Sequence, residues 1–395
     1  MKFIGLDLIA NAPDAAGRPG DPTTRLSEVV ENAVLFEELG FDGFAVGERH
    51  HPPFLSSAPP VVLSHIAALT SRIRLFTGVT LLSVLDPVRV AEDYATVDQL
   101  SGGRVELIIG KGNGPEQAEL FGIGRLDAWD TIAENYRLLR EIWSGRKVTW
   151  TPPPGVPSIR TAPLTDADIQ PQPLQPRIRI WHGSATAERS VELAAEFGDP
   201  VFSANGMNPI TRYAELIDHY RERWAAQGRD PGQALVGAGH GQTYVTRNSQ
   251  DAVSAFRPVY DRFAAMVAKS GQLPGTFTVY DSYEDFLARG SALVGSPQQV
   301  IDKVGRYHEA FGNRLIAIGG HQGNLDRTQF ADSLELFQAE VAPVLRRAIP
   351  DPEWPGPLAV RPLRPELRSR PAPPGRRTGA GSGARPAPEP PPSPR

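Results

Sequence analysis

Two adjacent histidines, His50 and His51, follow Glu48 and Arg49 at the end of the apolar run FDGFAVG. Neutral imidazole accepts or donates a proton near pH 7, which suits general-base work or the stabilising of an anionic intermediate. A metal reading needs a third ligand, for which Glu48 and His182 are the candidates. Adjacent residues in an extended loop point apart, so one ion rarely takes both histidines. A histidine satisfied by loop backbone is the plain alternative for either one. The run Gly110-Lys111-Gly112-Asn113-Gly114 offers close backbone approach and one cation, a combination that suits an anion. It is neither a P-loop nor a dinucleotide fingerprint, and a tight loop leaving a strand reads the same way. Ser184, Thr186 and Ser190 bracket the start of a helix. Hydroxyls there hold phosphate or simply cap the helix, and capping by Ser184 or Thr186 is the expectation from this segment alone. Trp129, Trp143 and Trp181 read as core, Asp42 and Glu48 make no convincing carboxylate pair, and no Ser-His-Asp triad is legible.

Positioning these groups falls to an alternation of strands and helices over the first 350 residues. Apolar runs at 3–9, 41–47, 73–82, 104–110, 178–183, 200–205, 235–245 and 314–320 read as strands. Helical spacing occupies 26–40, 59–71, 87–101, about 129–144, a stretch ending at Phe197, and about 210–227. A further helix starts near 249 to complete a seventh unit, and SLELFQAEVAPVLRRAI closes the chain's eighth. Asp86-Pro87 opens the 87–101 helix and Gly102-Gly103 ends it. The strand runs do not alternate in polarity, which indicates burial on both faces and a parallel sheet. Eight units with insertions predict an α/β fold of the (β/α)₈ barrel type. A doubly wound open sheet is the runner-up, but it lacks its glycine-rich turn after the first strand. In a barrel the working residues lie just past the C-terminal strand ends. Such ends carry residues 48–51, 110–114, 182–184, 204–205, His240 and 320–322. Five of the eight histidines fall there, while His65, His219 and His308 lie on predicted helices.

Composition narrows the class. Of 395 residues 40% are apolar and 22% charged, which excludes a fibrous or wholly disordered chain. A net charge of −4 provides no global basic field for gripping nucleic acid. With no cysteine, disulfides and thiolate chemistry are excluded. No apolar run approaches the roughly 18 residues of a membrane span. The start, MKFIGLDLIA, reads as a strand rather than a signal peptide, so a cytoplasmic location is expected. The last 45 residues, 351–395, hold 14 prolines and 8 arginines against 4 acids. That segment has too little to bury and is expected to be a disordered tail beside a 1–350 barrel domain, dispensable for catalysis.

Several stretches together resemble the bacterial-luciferase-like flavin-dependent monooxygenases. They are GFDGFAVGERHH, SSAPPVVLSHIAALTSRIRLFTGVTLL, DPVRVAEDYATVDQLSGGRVELIIGKG and ALVGSPQQVIDKVGRYH, and the resemblance runs from Met1 to about Trp354. It implies a barrel, usually dimeric, that binds reduced FMN from a separate flavin reductase and reacts it with O2 to a C4a-peroxyflavin. An unidentified small organic substrate is then oxidised. By position, His50 matches the first histidine of the family's Glu-His-His and is the implied catalytic residue. Lys111 stands where an arginine meets the FMN phosphate, so the charge is kept and the bidentate fork lost. Gly110 replaces a reactive cysteine, and Ser190 falls near a phosphate-binding hydroxyl. Gly78-Val79-Thr80 matches a place where many members have a non-proline cis peptide against the flavin. The implied cofactor contacts are therefore Glu48, Val79, Thr80, Lys111, Gly112, His182, Gly183, Ser184 and Ser190, with no metal. Residues 145–177 and the segment near 270–290 correspond to lid-like regions that set substrate choice. Two alternatives keep the fold: hydride transfer with coenzyme F420, and flavin binding without catalysis.

Overall fold

A computed structural model describes the chain except for residues 12–17, 19, 113–115, 125, 155–157, 185–186, 205–209, 270–279, 321–324 and 351–395. Expectations placed on Asn113, Gly114, Thr186, Asn205, His321, Gln322 and the 351–395 tail lie outside the described residues. Eight strands form the centre: β1 (Lys2–Asp7), β2 (Gly43–Val46), β3 (Arg74–Thr77), β4 (Val105–Gly110), β5 (Ile180–Ser184), β6 (Val201–Ser203), β7 (Val236–His240) and β8 (Leu315–Gly319). All are parallel and pair in the order β3-β2-β1-β8-β7-β6-β5-β4. Leu75 of β3 also registers with Val105 of β4, which closes the sheet into a barrel and excludes the open doubly wound alternative. Around it lie α1 (Pro22–Glu38), α2 (Pro59–Leu69), α3 (Pro87–Ser101), α4 (Ala128–Ile142), α5 (Glu188–Phe197), α6 (Ile210–Ala226), α7 (Pro297–Phe311) and α8 (Arg327–Leu336).

Strand side chains alternate between two cores, which is why every residue of β2 and β4 is buried. Ile4, Ala45, Phe76, Ile108, Trp181, Phe202, Leu315 and Ala317 fill the barrel interior. The opposite parity packs against the helices, as Phe3, Phe44, Leu107 and Ile109 do. Among the described residues no helix is long and apolar enough to cross a membrane.

The stretch DPVRVAEDYATVDQLSGGR proves to be scaffold. The Asp86 side chain accepts from Val88 N at 2.8 Å and opens α3. Gly102 and Gly103 end it at φ 75° and 82°, conformations that a Cβ disfavours. The buried Arg104 guanidinium then donates to the carbonyls of Ala67, Thr70 and Ile73, tying α2 to β3. Asp98 accepts from the backbone N–H groups of Leu174 and Gln175, which returns the chain to β5 after the 145–177 excursion.

Three expectations need correction. The 73–82 run is broken at Gly78, and only the short piece Thr80–Leu81 resumes as a strand, pairing with β4. The 235–245 run likewise breaks after His240, and Thr243–Val245 pairs outside the barrel with Leu293–Gly295. The helix from residue 249, Ser249–Lys269, therefore belongs to an excursion, while α7 completes the seventh unit. The closing helical segment is interrupted by a π-helical turn at Phe337–Val341.

Candidate active site

At the end of β2 the Glu48 carboxylate, only 4% exposed, makes two contacts that fix the loop. Its Oε2 accepts from Leu81 N at 2.9 Å, and its Oε1 lies 2.8 Å from His50 Nε2. A carboxylate can only accept, so His50 Nε2–H donates and neutral His50 carries its lone pair on Nδ1. The ring edge packs on Phe121 with centroids 4.9 Å apart. His51 turns away and packs on Phe54 instead, as adjacent residues in an extended loop should. Among the described residues no three His, Asp or Glu side chains are placed to hold a metal.

The Gly78–Val79 peptide is cis, at the place where the resemblance put one. The Val79 side chain sits between two glycines of neighbouring strands: a Cβ on Gly110 would meet it at 3.0 Å and one on Gly183 at 3.1 Å. Gly47, Gly78 and Gly320 are closely packed as well, since an added Cβ would come within 2.4 Å of Leu8, 2.5 Å of Leu6 and 3.0 Å of the Leu6 backbone. Thr80 turns its hydroxyl outward to donate to Tyr94 OH of α3 at 2.9 Å. Burial, and then the charge of Glu48, push the Tyr94 phenol well above its usual range, so it stays protonated. Beyond β4, exposed Lys111 places Nζ 3.4 Å from the Gly112 carbonyl. Gly112 has φ 77°, and a Cβ there would meet Gln117 Oε1 at 2.5 Å.

At the end of β5, α5 starts after Ala187, whose side chain provides no cap. Ser184 Oγ accepts from Ala187 N at 3.0 Å, closing the loop just before the helix instead of capping it. Ser190 Oγ donates to the Gly183 carbonyl at 3.4 Å. These hydroxyls and the Gly183 backbone therefore gather at one helix start. The His182 side chain does not join them. Strand parity puts Trp181 inside the barrel and turns His182 outward, against the Tyr136 ring of α4 at 4.7 Å. There it faces Asp199 Oδ2 at 3.6 Å, longer than a hydrogen bond. Burial lowers the His182 pKa against the opposing pull of Asp199, which keeps the ring neutral near pH 7. Burial alone would raise the Asp199 pKa, but His182, Arg140 and Tyr136 outweigh it and hold the carboxyl well below the usual range. The expected cofactor contact by the His182 ring is thus replaced by a buried network that fastens α4 to the barrel. His240 shares this outward parity, packing on Tyr307 of α7.

Reasoning from the sequence missed Tyr94, Phe121, Gln117 and Asp199. The first two are apolar-patterned aromatics whose polar or ring contacts appear only on folding. A concavity of about 370 Å³ near Trp129, Arg137, Glu192 and Arg223 lies among the outer helices and is lined by none of Glu48, His50, Val79 and Lys111.

A closed parallel barrel with a Glu-His pair at its C-terminal mouth is the setting in which relatives become informative. The sequence profile of luciferase-like monooxygenases matches residues 1–314, and the chain belongs to that family, an enzyme of its oxygenase class. The 4-hydroxyprotoasukamycin monooxygenase of Streptomyces nodosus subsp. asukaensis is 27% identical over 350 residues, covering 82% of this chain and 88% of the relative. In structure, monooxygenase RslO1 from Streptomyces bottropensis superposes with TM-score 0.73 at 24% identity, over 87% of this chain and 99% of its own. The oxygenating component of 3,6-diketocamphane monooxygenase from Pseudomonas putida, a complex with FMN, gives 0.68 at 20%, over 87% and 98%. An F420-dependent secondary alcohol dehydrogenase gives 0.65 at 18%, over 87% and 99%. At these identities the structural likenesses speak for the fold alone.

Proposed function

We propose that the protein uses reduced FMN and O2 to oxidise a small organic substrate. The observation that carries this reading is the Glu48–His50 pair, fixed on the Leu81 N–H at the strand ends where Val79 lies against Gly110 and Gly183. The residues fit such a cofactor. Half-buried Val79, seated against Gly110 and Gly183, offers an apolar side chain for a flat ring, and Lys111 with the Ser184–Ser190 helix start suits a phosphate. When bound, reduced flavin supplies the electrons that activate oxygen. The chain's own part is to orient the ring against Val79, to hold the phosphate, and to accept or hold a proton at His50 Nδ1. The 145–177 excursion is pinned beside the mouth by Arg160, 2.9 Å from Asp86, and serves as the cover that excludes water. A separate reductase delivering reduced FMN, a homodimer and a cytoplasmic location belong to the same reading.

The second reading is hydride transfer with F420, a cofactor used on this fold by the F420-dependent secondary alcohol dehydrogenase. An anaerobic titration with reduced FMN and with reduced F420, followed by mixing with oxygen, separates the two. Tighter binding of reduced FMN, with slower reoxidation than free flavin and little hydrogen peroxide released, is the expected result. Preference for F420 with no oxygen reaction would move the enzyme to hydride transfer.

A further inference from the structure

Gln117 is 2% exposed, and both its amide nitrogen and its amide oxygen are buried without a hydrogen-bond partner. An orphaned buried donor or acceptor destabilises the fold, so a carboxamide with both atoms orphaned is a costly feature. Its position gives the expense a purpose. It lies on the short helix Glu116–Leu120, which covers the β2 loop at both ends: Arg49 feels the Glu116 charge, and His50 packs on Phe121. The amide itself abuts Gly112, the residue whose carbonyl lies 3.4 Å from Lys111 Nζ. An ammonium and a neutral carboxamide therefore flank the same glycine.

That pairing suits a ligand with an anion next to neutral hydroxyls. A carboxamide offers donors and an acceptor together, matching hydroxyl groups that do both. A carboxylate would leave its N–H groups served and its carbonyl oxygen orphaned; an ammonium would do the reverse. We propose that Gln117 binds the polyol chain of the cofactor, between the ring and the phosphate taken by Lys111. The assignment rests on the flavin reading above and names a contact within it.

The test uses the full chain and three reduced flavins under anaerobic titration: FMN, riboflavin without the phosphate, and lumiflavin without the polyol. Gln117→Leu should weaken FMN and riboflavin about tenfold, the worth of one good buried hydrogen bond, and leave lumiflavin unchanged. Lys111→Ala should weaken FMN only. Thermal unfolding of the flavin-free Gln117→Leu protein should match or exceed that of the wild type, because the orphaned amide is gone. Gln117→Glu keeps the shape but loses the donors and should weaken riboflavin as well, a check should the leucine variant fold poorly. Unchanged riboflavin binding in both variants, or an equal loss with lumiflavin, overturns the assignment. A wild-type protein that binds none of the three overturns the flavin reading itself.

Discussion

At His50 a carboxylate decides which ring nitrogen is left with its lone pair. Glu48 is held by a backbone N–H and in turn holds Nε2, so the tautomer is set by the fold and the proposed role falls to Nδ1. His50→Ala should keep the dissociation constant for reduced FMN within about threefold. Productive oxygenation, read as oxygen consumed but not recovered as hydrogen peroxide, should fall by about a hundredfold. Equal yields from variant and wild type would remove the role. Residue type and spacing made Glu48 and His50 legible in the sequence, because both follow the same strand end. His182 was misread for a single reason: side chains on a strand alternate, and a one-residue register decides whether a ring meets the mouth or the helices. Gln117 carried no signal at all, since being orphaned is a property of the folded surroundings and not of the residue.

Among the elements, strand runs were readable and their ends were not. The alternation placed all eight barrel strands, yet nothing in IRLFTGVTLL or LVGAGHGQTYV marked the breaks at Gly78 and after His240. Those breaks depend on pairing partners far away in sequence. The second one matters for stability. His240 donates from Nδ1 to the Ser291 carbonyl at 2.7 Å, packed on Tyr307 and near Lys303, whose ammonium donates to the Leu287 and Ala292 carbonyls. Burial, with a smaller push from Lys303, outweighs the Ser291 bond and lowers the His240 pKa to about 4. Between pH 6.5 and 4 the unfolded chain therefore binds a proton at this site that the folded one refuses. Stability contributed by neutral His240 is complete above pH 6.5 and is lost as pH falls through that window, by about 3 kcal/mol in all. His240→Asn should flatten the fall in melting temperature between pH 7 and pH 4 relative to wild type; parallel curves would contradict the assignment.

At the scale of the molecule, two neighbouring helices expose large apolar side chains. Val61 and Leu69 on α2 and Leu100 on α3 are 70%, 41% and 68% exposed. Exposed large apolar groups are a mark of association, and the homodimer belonging to the proposed function would be expected to cover them. Val61→Asp combined with Leu100→Asp should halve the mass seen by light scattering; a wild type already monomeric at micromolar concentration would refute it.

The glycine strand ends have an evolutionary corollary. Where strand-end glycines lie tight against Leu6, Leu8 and Val79, adding even a methyl group forces neighbours to move. Diversification must then enter from the rim, through the 145–177 excursion and the loops beyond each strand. A laboratory library aimed at new substrates should leave Gly47, Gly78, Gly110, Gly183 and Gly320 untouched and spend its diversity on that rim.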